Sequence, residues 1–312
     1  MSYTSQFTIY QSGDTSAPTL NGLTGSLLTV LDACLVNGYG SKPGAGWIKP
    51  FPNTGSAGCY QQPTGSMLYL SVNDAAGGAG GGQEARITGY DSLTSIASGS
   101  NPFPSGSFIV ARKSAAASAT ARTWIIVADS SSFYGFVLTG DFANNYYAFS
   151  FGDFYSLSGS ADAWKAMVVG RATENNSTQA VENLDRINAL SAATTGHYVG
   201  HTFSGTGTAL NVGKHGDAVK GNSAVLLGNV QFPNGTDNGL YLSPVWVHET
   251  ANSTVRGVMR GFYQYLHPIA NATDGQTFSG SGAFNGYTFL VIKQSGNGGV
   301  YIIETSNTVQ TN

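Results

Sequence analysis

Apolar and polar positions alternate along most of this chain. Residues 5–10, SQFTIY, show the two-residue period of a half-buried strand. The pattern returns at 67–72 (MLYLSV), 83–90 (QEARITGY), 107–112, 123–129 (TWIIVAD), 133–141 (FYGFVLTGD), 146–153 (YYAFSFGD) and 164–171 (WKAMVVGR). Past a less regular stretch at 172–196, with a short helix read at 180–190, further strands are predicted in HYVGHTF, SAVLLGNV, LYLSPVWVHET and VRGVMRGFYQYLH. The clearest hairpin is YTFLVIKQ, the turn SGNG, then GVYIIETS. Short strands rich in Val, Ile, Phe and Tyr, punctuated by Ser, Gly, Asn and Asp, predict a mainly β fold: an antiparallel sandwich or barrel-like sheets.

One stretch departs from alternation. In residues 25–52, Leu27, Leu28, Leu31 and Leu35 recur at the helical period, with Val30 and Cys34 at the edge of the stripe. Ser26 stands at the expected N-cap, Asp32 and Asn37 face outward, and Gly38 or Gly40 ends the helix. Pro43, Pro50 and Pro52 forbid its continuation, and Trp47 is expected to fold back over it. The chain thus divides into an N-terminal arm, 1–24, and a β-rich domain, 25–312, with an internal boundary near 172–196 as an alternative. Residues 53–66 and 91–105 read as loops. The glycine tract 77–82 reads as a hairpin tip, because a strand follows it where a dinucleotide fingerprint needs a helix.

Composition narrows the function. Of 312 residues, 42 are Gly and only 10% are charged, against a usual quarter, while 41% are hydrophobic. Such a chain can build a core but carries little surface charge, which suits an assembly subunit better than a free enzyme. The net charge of −3 and the lack of a Lys/Arg stripe argue against a nucleic-acid partner. No run of 18 apolar residues predicts a membrane span, and MSYTSQFTIY has no signal-peptide pattern. Two cysteines, Cys34 and Cys59, do not make a disulfide framework; a bridge between them is a minor alternative.

Candidate chemistry is sparse. His197 and His201 are four apart, followed by His215 and Asp217, but on a strand that spacing separates them by about 13 Å. They read as surface histidines, as do His248, beside Glu249, and His267. Asp129, Asp141 and Asp153 fall twelve apart at strand ends, where Asp caps turns. A glycosidase pair or a Ca²⁺ site are the alternatives for them. No catalytic, cofactor-binding or metal-ligating residue is assigned, and no cofactor is expected. Aromatic strands such as 146–151 offer one face to the core and the other to a neighbouring subunit or a sugar.

Longer segments carry a resemblance. LLTVLDACLVNGYGSKPGAGW, EARITGYDSL, NPFP, TWIIVADSSSFY, FGD, and SPVWVHETANSTVRGVMRGFYQYLH followed by GYTFLVI resemble a family of virion structural proteins of tailed bacteriophages and prophages. The likeness runs from about residue 26 to 305. It departs at the enlarged glycine tract and at the ending SNTVQTN, where relatives tend to finish with Trp. The resemblance implies a particle component made in the bacterial cytoplasm and located in the virion, on the tail, baseplate, fibre base or head; the leading reading is a non-enzymatic subunit acting through tail or baseplate contacts. Its partners would be other virion proteins and copies of itself. A capsid decoration or cement protein, or a module binding host-surface glycan, are the alternatives.

Overall fold

A computed structural model describes residues 7–75, 83–140, 146–171, 198–205, 207–214, 239–249, 254–267, 269–280, 284–293 and 300–307. The fold is mainly β and antiparallel, with one short helical segment near the N-terminus. Its strands are β1 (Thr8–Gln11), β2 (Ala57–Gln61), β3 (Tyr69–Asn73), β4 (Glu84–Tyr90), β5 (Ser92–Ser95), β6 (Ser98–Ser100), β7 (Ile109–Arg112), β8 (Thr123–Ala128) and β9 (Ser132–Leu138). There follow β10 (Tyr146–Ser156), β11 (Ala166–Val169), β12 (Tyr198–His201), β13 (Gly207–Lys214), β14 (Leu242–Glu249), β15 (Thr254–Tyr265), β16 (Thr277–Ser279), β17 (Tyr287–Lys293) and β18 (Val300–Asn307).

One long sheet runs β1-β8-β9-β10-β11-β12-β13-β14-β15-β18-β17-β16. It curls until β15 meets β10 again, with Phe154 opposite Met259 and Ser156 opposite Gly257. Strands β10 to β15 therefore form a closed ring of six. The closure uses the length of β10: residues 146–152 pair with β9, and 154–156 pair with β15 on the far side of a bend. Gly152 makes that bend at φ 139, where a Cβ would lie 2.4 Å from Ser131 O and Ser132 Cα.

Alternation assigns the faces of the long sheet. Trp124, Ile126, Phe133, Val137, Phe149, Phe151 and Val168 join one core cluster, whose other members come from the helix and from a separate sheet, β2-β3-β4-β7. Ile125, Val127, Tyr134, Phe136, Ala148, Met167 and Val169 face the other way, against Val245, Val247, Phe262, Leu290 and Ile303. Both faces of β8–β11 are thus buried, which explains why these strands are apolar at nearly every position.

The helical segment forms where its leucines predict, with Leu27, Leu28, Leu31 and Leu35 all buried. It is α-helical over Ser26–Leu31 and widens to a π-turn over Asp32–Asn37 before Gly38 ends it. The N-cap is Gly25 rather than Ser26; the Ser26 hydroxyl instead donates to Asn21 O at 2.8 Å. Asn37 is exposed as expected, whereas Asp32 is half-buried and accepts from Lys49 Nζ (2.5 Å), Asn53 Nδ2 (2.9 Å) and Tyr60 OH (2.8 Å). Trp47 does fold back: its amide donates to Leu35 O at 2.9 Å, and its ring lies edge-on to Phe133 and Phe151.

Other expectations change. Residues 53–66 contain β2, and 91–105 contain the small hairpin β5–β6. Within the segment read as an arm, Thr8–Gln11 pairs with the long sheet as β1, with Thr8 opposite Ala128, and Leu20 bridges to Arg122. Cys34 and Cys59 are both free thiols, both buried, and burial pushes both above the ordinary thiol range. The strands flanking the glycine tract pair as a hairpin, Asn73 opposite Arg86, and a strand does follow it. The tract itself, the helix read at 180–190 and the strand read in SAVLLGNV lie outside the described residues, as does the turn of the last hairpin.

Candidate functional site

Among the described side chains, Asp274 is the one charged group that stands exposed; the rest are buried or half-buried. They are kept there by pairing, since an unpaired buried charge is expensive.

The helix N-terminus shows the pattern. Asp74, just after β3, accepts from Leu27 N at 2.9 Å and so supplies the cap that Gly25 lacks. Lys113, just after β7, pairs with Asp74 and donates to Leu23 O (2.7 Å) and Ser26 Oγ (3.1 Å). Both side chains are fully buried. Burial pushes the Asp74 carboxyl up and the Lys113 ammonium down, each opposed by the charge of the other. A shallow groove of about 460 Å³ runs over this turn, lined by Thr19, Asn21, Thr24, Thr29, Asn53 and Thr54 among others.

The strand-end aspartates divide. Asp129 caps its turn, with Oδ1 accepting from the Ser131 and Ser132 amides at 2.8 Å each, while Oδ2 takes Arg260 Nη2 at 2.6 Å. Asp153 does not end a strand, because β10 continues through it. It is buried, accepts from Gln62 Nε2 (2.9 Å) and Ser66 N (3.0 Å), and burial pushes its carboxyl up. Asp141 lies outside the described residues. Asp129 and Asp153 are thus each held by their own partners.

The histidines also differ from a surface reading. His201 is 1% exposed, enclosed by Phe103 at 4.7 Å and Trp164 at 5.1 Å between ring centroids, with Nε2 2.9 Å from Asp91 Oδ1. Phe103 reaches it across Gly89, where a Cβ would fall 2.2 Å from the ring. His267 is also buried and accepts from Tyr241 N at 2.7 Å. His248 is half-buried in β14, and burial lowers its pKa. Beside it, Glu249 is buried in the Arg256 cluster described next. His197, His215 and Asp217 lie outside the described residues. Among the described residues no three His, Cys, Asp or Glu side chains gather as a metal site, and no helix is long and apolar enough to cross a membrane.

The most elaborate charged cluster sits where the ring closes. Arg256 of β15 binds Asp162 through Nη2, at 2.7 Å to each carboxylate oxygen, and Glu249 through Nη1 at 2.6 Å. Its guanidinium lies 5.5 Å from the ring centres of both Phe154 and Phe203. Glu249 also accepts from Phe203 N at 2.8 Å, and Leu157 N donates to Arg256 O at 2.8 Å. Three large apolar side chains in the segments around Arg256 are exposed: Leu157 at 51%, Phe203 at 47% and Val255 at 42%. No protein-family model matches this sequence, and no curated protein matches it. Arg256 is held inside the fold by two carboxylates, beside these exposed apolar side chains.

Sequence reasoning missed this site for a physical reason. Two partners of Arg256 are far away in sequence, Asp162 by 94 positions and His201 O by 55. Only the closure of β10 on β15 brings them together.

Proposed function

We propose that the chain is a structural subunit of a tailed-phage virion, acting by assembly contacts in the tail or baseplate and performing no chemistry of its own. The observation that carries this reading is the neutral exterior. Among the described residues every charged side chain but Asp274 is buried or half-buried, and the exposed positions are mostly Ser, Thr, Asn, Gln, Gly and Ala, with a few large apolar residues. Surface charge keeps free proteins apart, and here that repulsion is nearly absent. The resemblance to virion proteins points the same way. The test is an amber mutation that removes the chain: particles should stop at a defined assembly intermediate. Complete, infectious particles without it would overturn the proposal.

One observation favours a second reading, a host-glycan contact. On the outer face of the small sheet, Ile48, Gln61, Tyr69 and Tyr90 face one another across adjacent strands, with no charge among them. Two tyrosines beside an amide form a neutral platform on which a sugar ring can stack. Binding of uncharged oligosaccharides that is lost in Tyr69→Ala would support it; binding unchanged in that variant would exclude this platform.

A further inference from the structure

We propose that Lys113 and Asp74 join covalently, with Lys113 Nζ forming an amide bond to Asp74 Cγ inside the folded chain. This is a self-modification: it happens once per molecule and turns over no substrate, so it stands independently of the assembly reading above. The ion pair already described is its reactant, the state of the freshly folded chain. Nζ lies against Asp74 Oδ1, and neither side chain has any exposed surface. Among the described residues, the other lysine–carboxylate pairs, Lys42–Asp14 and Lys49–Asp32, are both partly open to solvent. The other fully buried pairs among them use arginine, whose guanidinium stays protonated and cannot attack a carboxyl carbon.

The surroundings fit the step. Burial works against both charges, pushing the Asp74 carboxyl up and the Lys113 ammonium down, and so favours the neutral acid and amine. The neutral amine is the nucleophile. Transfer of one proton from Nζ to Oδ1 makes that pair. The Nζ lone pair then attacks Cγ, and the carbonyl electrons move onto Oδ2. Leu27 N–H holds Oδ2 at 2.9 Å, and Leu28 N–H also faces the carboxyl, so the developing oxyanion meets preformed donors. As the electrons return from Oδ2, the Cγ–Oδ1 bond breaks. Oδ1 leaves as water, with the proton it already carried and a second one from Nζ. Leu23 O, 2.7 Å from Nζ, and Ser26 Oγ, 3.1 Å away, accept from the amine and hold it in place. Both residues also line the groove over this turn, where the released water meets solvent. No oxidant, reductant or further reagent enters. The bond ties the end of β3 to the end of β7 across β4, which lies between them in the small sheet. Such a link restricts the unfolded chain as a disulfide does, without depending on redox conditions.

Mass spectrometry of the full-length chain, purified and then denatured, tests this. The chain should be lighter than its sequence by one water, and proteolysis should release one branched peptide that joins Asp74 to Lys113. Lys113→Arg and Asp74→Ala should both keep the full mass, whereas Lys49→Arg, at a solvated pair, should lose water as the unmodified chain does. The branched peptide makes the assignment whether or not the variants fold. Full mass in the folded, unmodified chain after days at neutral pH would overturn the proposal. So would a water loss that persists in Lys113→Arg, or a branch at any other residue.

Discussion

Trp47 donates its indole Nε1–H to the carbonyl oxygen of Asp129, 2.7 Å away and 82 positions along the chain. The same indole packs edge-on against Phe133 at 5.8 Å and Phe151 at 5.9 Å. It is the wedge that joins the helix–loop unit to the long sheet, and it fixes the turn from which Asp129 reaches Arg260. Trp47→Ala should therefore destabilise the fold by about 3–5 kcal/mol. Trp47→Phe should cost less but leave Asp129 O without its donor. Urea unfolding of both variants checks the order.

Leu31 is fully buried in the same core cluster as Trp47. Leu31→Ala should cost about 2–5 kcal/mol, because the helix is held between two sheets and cannot collapse into the void. A loss below about 1 kcal/mol in chemical denaturation would contradict the packing described.

The buried pair Asp74–Lys113 predicts a sign change. Lys113→Met alone strands a carboxylate in the core and should cost about 3–5 kcal/mol. Adding Asp74→Asn removes that stranded charge, so the double variant should recover a large part of the loss. Denaturation of the two single variants and the double measures the coupling directly.

Asp14 predicts a pH dependence. Burial pushes its carboxyl up, but hydrogen bonds from Lys42, Tyr39 and the Gln11 amide, with the Lys42 charge, outweigh that and hold it below the ordinary 3.8. The folded state therefore favours the ionised form, and this stabilisation is complete above the unfolded value. It is lost as pH falls through the lowered folded value. Asp14→Asn should be less stable than the unmodified chain at pH 6, and the gap should narrow as pH falls below the ordinary 3.8. A gap that widens on acidification would reverse the assignment.

Much of the architecture was legible in the chain because alternation is local. TWIIVAD and YYAFSFGD announce strands by themselves, and their two apolar faces already require cover on both sides. The strand β2 was not legible: AGCYQ has one large inward side chain, Tyr60, and its pairing with β3 supplies what propensity does not. The hairpin β5–β6, built of Ser, Thr, Leu and Gly, has no buried face at all. The burial of His201 depends on Phe103 and Trp164, which are 98 and 37 positions away. Its neighbours in sequence could not announce that. The leucines of the helix showed its buried stripe, but its cap comes from Asp74, 47 positions on from Leu27.

The central claim is that this neutral-surfaced chain exists to be built into a particle. Quantitative mass spectrometry of gradient-purified virions tests it most directly. The account predicts the chain at a fixed, multi-copy ratio to the major tail proteins, unchanged by a high-salt wash because the contacts are uncharged. Virions that lack the chain, or shed it when salt is raised, would contradict it.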